Sequence, residues 1–165
     1  LMIEPSPSCA RSLKNLVNQE KLAGRFSYLQ RAIGLPDSES SPFYDRSHMA
    51  GSRYSLSESE KAIQVQNLTE ADLVEKLEAP YDLIKCDIEG SEWEFLNGYQ
   101  NLITASKYLL LEWHSWHSGG GSLPQIEKKL TDFGFQTIKS SSPQKAVGRD
   151  GEVGLFLAKN LNFQN

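Results

Sequence analysis

The chain has 165 residues, of which 39% are apolar and 23% are charged, a composition typical of a globular protein with one core-forming domain. The formal net charge of −4 offers no basic face to a phosphate backbone, so we expect no nucleic-acid partner. No apolar run approaches the roughly 20 residues of a membrane helix, and there is no signal-peptide pattern, so we expect no membrane partner.

The two cysteines, Cys9 and Cys86, lie far apart and form no CxxC pair. Cys86 stands inside an apolar run, where a free thiol behaves as a small buried hydrophobe. This pattern favours a reducing compartment and a cytoplasmic location over a disulfide scaffold.

The first part of the chain predicts short strands around one helix. In chain order we expect a strand at 1–3, a helix capped by Ser6 or Ser8 and ending at Gly24, a strand at 26–33 closed by Gly34, a loop at 35–60 with a hairpin around Phe43 and Tyr44, and a strand at Ile63 and Val65. The apolar periodicities and the Ser, Pro and Gly clusters support these assignments.

The second part alternates strands and helices. In chain order we expect a helix at 69–77 capped by Thr69, a fully buried strand at 81–88, a helix at 91–105, a buried strand at 107–114, a glycine loop at 119–121, a helix at 124–133, and strands at 135–138 and 153–158. This alternation predicts an α/β fold with a mostly parallel sheet, and the last two strands predict an antiparallel hairpin.

Four carboxylates lie between strand 81–88 and the first turn of the next helix, namely Asp87, Glu89, Glu92 and Glu94. Ser91 and Glu94 have the S-x-x-E spacing of a capping box, so Glu94 is predicted to be structural. Glu92 points away from the apolar helix face and could oppose the helix dipole or reach the strand end.

Lys85 and Asp87 share one face of strand 81–88 because side chains alternate along a strand. In a strand covered on both sides, such charges cost several kcal/mol unless they pair or meet solvent. They could form a buried ion pair that steadies the core. Their place at the carboxyl end of the strand, where α/β sheets bind ligands, favours a functional site.

The next predicted strand repeats this arrangement with Glu112 and His114. If the two strands are neighbours, both pairs meet in one crevice, where His114 suits a general base or has a structural role. His48 and His117 fall in predicted loops and are expected to be solvated. Asp, Glu and His side chains could together ligate a cation, but no HExxH, EF-hand or cysteine spacing supports this, so no metal site is predicted.

Residues 82–92 (DLIKCDIEGSE) resemble the D-x-x-K-x-D-x-E-G-x-E signature of FkbM-type methyltransferases, which use S-adenosylmethionine. Residues 110–114 (LLEWH), 3–7 (IEPSP) and 29–34 (LQRAIG) are similar to further segments of that family. The similarity runs over nearly the whole chain, and the DxEGxE block is its most specific part.

The resemblance implies the class I methyltransferase fold, a Rossmann-like sheet that ends in an antiparallel strand. It implies that Glu4 binds the ribose hydroxyls of the cofactor and that Ala32 and Ile33 lie beside the adenine. The residues that it would place near the methyl group and the acceptor are Lys85, Asp87, Glu89 and Glu92, with Asp87 also on the cofactor. The family's first strand and glycine-rich turn would precede Leu1, so the domain is expected to be N-terminally incomplete.

The leading hypothesis is therefore an S-adenosylmethionine-dependent methyltransferase that acts on a hydroxyl of a small molecule or glycan. Asp87 or His114 would take the acceptor proton, with Lys85 orienting Asp87 and Glu112 orienting His114. The 119–121 loop would be a lid or a plain connector. The alternatives are a non-catalytic α/β domain that binds a ligand or partner, and metal-assisted hydrolysis; the oligomeric state is not predicted.

Overall fold

A computed structural model of the chain describes residues 1–18, 24–33, 38–46, 51–55, 57–117, 121–146 and 150–163. The chain forms two compact units, Leu1–Leu68 and Thr69–Asn165. Within the described ranges, no helix combines the length and the apolar character needed to span a membrane. The single domain expected over 1–165 stays a prediction.

The first unit consists of short strands and one long helix among its described residues. Its elements are β1 (Met2–Ile3), α1 (Pro7–Val17), β2 (Tyr28–Leu29), β3 (Ala32–Ile33), β4 (Ser40–Phe43) and β5 (Ile63–Leu68). Strands β1 and β2 pair in parallel, while β5 pairs in parallel with β3 and antiparallel with β4. As predicted, Ser6 caps α1 by accepting a hydrogen bond from the backbone N–H of Cys9.

The strand predicted at 26–33 is two strands, because its halves pair with different neighbours. Tyr28–Leu29 pairs with β1 and Ala32–Ile33 with β5, with Gln30 and Arg31 between them. Helix α1 ends at Val17, before the predicted Gly24. The predicted hairpin is represented by the bridge between Tyr44 and Ser52, and Gly34 lies outside the described residues.

The second unit contains a mixed sheet with helices packed on it. Its elements are α2 (Glu70–Lys76), β6 (Tyr81–Cys86), α3 (Glu92–Gly98), α4 (Gln100–Thr104), β7 (Ser106–His114), α5 (Leu123–Asp132), β8 (Phe135–Ser140), β9 (Gln144–Lys145) and β10 (Glu152–Asn160). The described strands follow the order β6-β7-β10-β8, and β9 pairs with β10. Strands β6 and β7 are parallel, and β10 is antiparallel to both β7 and β8. The predicted α/β class and the antiparallel pairing of the closing strands are confirmed. The prediction of a mostly parallel sheet is wrong for the described strands, because β10 pairs antiparallel with each of its neighbours.

Strand β6 is not the buried strand that its apolar residues predicted. Among the described strands it pairs with β7 alone and forms an edge of the sheet. Leu83 is consequently 53% exposed, and Cys86 is the buried residue of the strand. Strand β7 is largely buried, as predicted, with Leu109, Leu111 and Trp113 fully covered.

The helix predicted at 91–105 is two helices. The break falls at Tyr99, whose φ of −128° and ψ of 42° are not helical, directly after Gly98, and glycine weakens a helix. The capping box predicted at Ser91 is wrong, because Ser91 is not extended and its side chain makes no cap hydrogen bond. Thr69, by contrast, caps α2 as predicted and forms a capping box with Asp72.

Candidate active site

The parallel register of β6 and β7 brings the ends of the two strands side by side. Cys86 pairs with Leu111, so the same register places Asp87 next to Glu112, and His114 lies two residues further along β7. One ligand-type atom from each of Asp87, Glu112 and His114 lies within 4.8 Å of the others. The structure therefore brings together the residues that the sequence predicted to converge.

His114 is held by Glu92, a contact that the sequence did not predict. Nδ1 of His114 lies 2.9 Å from Oε1 of Glu92, and the two side chains are 2% and 0% exposed. Because a carboxylate only accepts hydrogen bonds, this contact places a proton on Nδ1. The residues are 22 positions apart, and no local spacing pattern reports such a contact.

The turn between β6 and α3 fixes the position of Glu92. Its Oε1 accepts hydrogen bonds from the backbone N–H groups of Ile88 (3.3 Å) and Gly90 (3.1 Å). Glu89 has a φ of 54° and Gly90 a φ of 102°, and a left-handed conformation is uncommon for a residue such as Glu. This turn lets the first helical carboxylate fold back beneath the ends of the two strands.

Burial and the surrounding carboxylates act in opposite directions on His114. Burial lowers the pKa of its imidazole, while the hydrogen bond and charge of Glu92 and the charges of Glu89 and Asp87 raise it, so that the pKa is raised overall. Burial first, and then the charges of Glu92 and Asp87, raise the pKa of the Cys86 thiol well above its usual value. Cys86 is therefore a protonated, packed side chain, as expected from its position in β6.

Lys85 and Asp87 form an exposed ion pair. Nζ of Lys85 donates a hydrogen bond to Oδ2 of Asp87 over 3.0 Å, and the side chains are 56% and 32% exposed. The idea of a buried pair with a high desolvation cost is wrong, because β6 lies at the sheet edge. The contact still orients one oxygen of Asp87, as predicted for Lys85.

Glu112 does not make the orienting contact that was predicted for it. Its Oε1 lies 3.8 Å from Nε2 of His114, and its side chain is 37% exposed. That distance exceeds the range of a hydrogen bond. Glu92 orients the ring at Nδ1, and Glu112 faces the opposite nitrogen.

An open cavity of about 620 Å³ lies beside the carboxyl end of β7. Trp113, Trp116, His117, Ser122, Gln125 and Glu152 contribute to its lining. The ring of Trp116 also packs on His114, with 4.3 Å between centroids, so the cavity adjoins the charged cluster. His117, predicted to be solvated, is half-buried, while His48, Gly119 and Gly120 lie outside the described residues.

The residues assigned to the cofactor by resemblance lie in the first unit. Glu4 directly follows β1, and its Oε1 accepts the backbone N–H of Ser6 over 2.8 Å. Ala32 packs with Phe43 and Val65 in a buried cluster, so Ile33, which is half-buried, is the member of that pair with accessible surface.

Comparison with known proteins identifies the family of the chain. A family model described as the methyltransferase FkbM domain matches residues 1–137. Comparisons with curated proteins and with solved structures give no match. The matched range includes the first unit, the second unit as far as residue 137, and the charged cluster at the ends of β6 and β7. The chain therefore belongs to the FkbM methyltransferase domain family.

Proposed function

We propose that the protein is an S-adenosylmethionine-dependent methyltransferase that methylates a hydroxyl group of a small molecule or glycan. When bound, S-adenosylmethionine supplies a methyl group whose bond to the sulfonium sulfur breaks as the bond to the acceptor oxygen forms. The observation that carries the proposal is the charged cluster of Asp87, Glu112 and His114 at the carboxyl ends of β6 and β7, within the range matched by the family.

The order of the strands agrees with a Rossmann-like class I methyltransferase sheet. Parallel strands β6 and β7 are followed by β10, which lies antiparallel between β7 and β8. In α/β sheets of this kind, ligands bind outside the carboxyl ends of the parallel strands. The charged cluster occupies that position.

The side chains present in the first unit are chemically suited to the donor. A carboxylate such as Glu4 accepts hydrogen bonds from ribose hydroxyls, and the hydrogen bond from Ser6 fixes one of its oxygens. Ile33 offers apolar surface that an adenine ring can pack against. We assign Glu4 to the ribose and Ile33 to the adenine.

Asp87 is the better placed of the two candidate proton acceptors. Its side chain is 32% exposed, whereas that of His114 is 2% exposed and is held by Glu92. An acceptor hydroxyl can therefore reach Asp87 without displacing packed groups. Lys85 is a positioning residue that holds Oδ2 of Asp87. His114 is the buried member of the cluster.

The lining of the cavity next to His114 is suited to binding a hydroxylated acceptor. Indole rings offer flat apolar surface to a sugar or another ring, and Ser122, Gln125 and Glu152 offer hydrogen-bonding groups around it. Because Trp116 lines the cavity and also packs on His114, an acceptor in the cavity would lie close to the charged cluster.

Calorimetry with S-adenosylhomocysteine tests the donor assignment on the full-length protein. We expect saturable binding by the wild type and binding at least about tenfold weaker in Glu4→Gln, because a lost charge-assisted hydrogen bond is worth about 1.5–3 kcal/mol. Glu127→Gln, an exposed change on α5, is the matched control. Absence of binding in the wild type would favour a non-catalytic domain.

A further inference from the structure

We propose that Asp87, Glu112 and His114 form a binding site for a divalent cation. Their ligand-type atoms lie within 4.8 Å of one another, and they combine two carboxylates with one imidazole. These ligand types together suit first-row cations such as Mn²⁺ and Zn²⁺. No spacing pattern in the sequence predicts such a site, because Asp87 follows β6 whereas Glu112 and His114 lie on β7.

The arrangement of His114 is that of a metal ligand. Metal-bound histidines almost always donate their second ring N–H to a carboxylate or carbonyl group, and Nδ1 of His114 makes this contact with Glu92 at 2.9 Å. With the proton on Nδ1, a neutral ring presents the lone pair of Nε2. Among the described residues, Nε2 has no hydrogen-bond partner, although the side chain is 98% buried.

The distances around Nε2 suit a shared ion better than a direct contact. Oε1 of Glu112 lies 3.8 Å from Nε2, which is too long for a hydrogen bond. Two ligand atoms that are each about 2.1 Å from one ion lie about 3 to 4 Å apart. Asp87 and Glu112 keep 32% and 37% of their side chains exposed, so both can adjust toward an ion.

The local charge favours a divalent cation. Asp87, Glu92 and Glu112 bring three carboxylates together, and Lys85 is the cation paired with one of them. Lys85 holds Oδ2 of Asp87, and we assign the other oxygen, Oδ1, to the ion. The exposure of Asp87 and Glu112 leaves one side of the site open to water or to an acceptor hydroxyl.

A role of the cation in catalysis rests on the proposed function, whereas binding of the cation does not. A hydroxyl bound to a divalent ion has a lowered pKa. The ion would thus lower the pKa of an acceptor hydroxyl bound to it. The released proton would pass to the carboxylate of Asp87, which keeps its role as proton acceptor while one of its oxygens binds the ion. Binding can be measured without methyl donor or acceptor, so failure of one proposal is distinguishable from failure of the other.

The test is a titration of the full chain with Mn²⁺ alone. The protein is first freed of metal with EDTA and dialysed, and the electron paramagnetic resonance signal then measures the concentration of free Mn²⁺. We expect the wild type to bind one Mn²⁺. Asp87→Asn and Glu112→Gln conserve size at part-exposed positions and should bind at least about tenfold more weakly, because loss of even an outer partner costs about 10–100-fold in affinity. Glu127→Gln, on the exposed face of α5, should bind like the wild type.

Circular dichroism establishes that each variant is folded, and electron spin echo modulation identifies the imidazole. Bound Mn²⁺ should show a ¹⁴N coupling in the wild type that is lost in His114→Gln. The proposal is overturned if the wild type leaves the free Mn²⁺ signal unchanged. It is equally overturned if the folded Asp87 and Glu112 variants bind like Glu127→Gln, or if bound Mn²⁺ shows no nitrogen coupling.

Discussion

Nδ1 of His114 lies 2.9 Å from Oε1 of Glu92, and both side chains are almost completely buried. The same carboxylate oxygen accepts the backbone N–H groups of Ile88 and Gly90. One buried carboxylate thus joins the turn after β6 to the end of β7. This contact holds the two strand ends in the arrangement on which the candidate site depends.

Replacement of Glu92 by alanine should destabilise the protein strongly. The change leaves the imidazole and two backbone donors without their acceptor, and loss of one partner of a buried network costs about 3 kcal/mol. Urea denaturation followed by circular dichroism measures the free energy of unfolding. Glu127→Ala on the exposed face of α5 should change it by less than about 0.5 kcal/mol, and an equally small effect at Glu92 would contradict the structure of the turn.

Two glycines, one in this turn and one further along the chain, should respond differently to alanine. Gly90 has a φ of 102°, and an added Cβ would lie 3.2 Å from Cδ2 of His117, so Gly90→Ala should lower the free energy of unfolding by at least about 1–2 kcal/mol. At Gly98, at the end of α3, an added Cβ meets nothing within 4 Å. Gly98→Ala should therefore be neutral or stabilise the protein by up to about 1 kcal/mol. Equal effects at the two positions would contradict this description.

The sequence predicted the strand ends but not the way in which they are held. Lys85, Asp87, Glu112 and His114 could be placed on common faces from the period of two along each strand. Pairing of β6 with β7 then brings the Lys85–Asp87 pair next to the Glu112–His114 pair. The role of Glu92 could not be decided from the sequence, because its partner His114 lies 22 residues away on β7 and the S-x-x-E pattern points to Ser91 and Glu94 instead.

Burial was predicted less well than element type. The apolar residues of β6 and β7 indicated buried strands, yet Leu83 is exposed on an edge strand while Leu109 is fully buried. A strand's own sequence does not report how many neighbours it has in a sheet. Similarly, the sequence predicts a single strand at 26–33, and only pairing with two different strands divides it.

Truncation of these two leucines tests the edge position of β6. Leu109 is 0% exposed, so Leu109→Ala should lower the free energy of unfolding by about 2–5 kcal/mol through lost burial and a cavity. Leu83 is 53% exposed, and Leu83→Ala should cost less than about 1 kcal/mol. Denaturation curves of the two variants provide the comparison, and a large effect at Leu83 would show that this face of β6 is covered in solution.

The two cysteines should differ in their reaction with a thiol reagent. Cys86 is 4% exposed and Cys9 is part-exposed, and a buried thiol reacts only when the structure opens. With Ellman's reagent, the native protein should show one fast thiol and the denatured protein two. Cys9→Ser should remove the fast phase. A fast phase that remains in Cys9→Ser would contradict the burial of Cys86.

The central claim is that methyl transfer takes place at the ends of β6 and β7. The most direct measurement is an assay that follows the tritium label from S-adenosyl-[methyl-³H]methionine onto a panel of sugars and other hydroxylated small molecules. The full-length wild type should label a hydroxylated acceptor, and Asp87→Asn should lower kcat/KM by at least about 100-fold, since a positioned proton acceptor contributes 10²–10⁴-fold. Glu127→Gln should retain wild-type activity. Undiminished transfer by Asp87→Asn would contradict the assigned site, and a wild type that binds no donor and labels no acceptor would contradict the proposed activity itself.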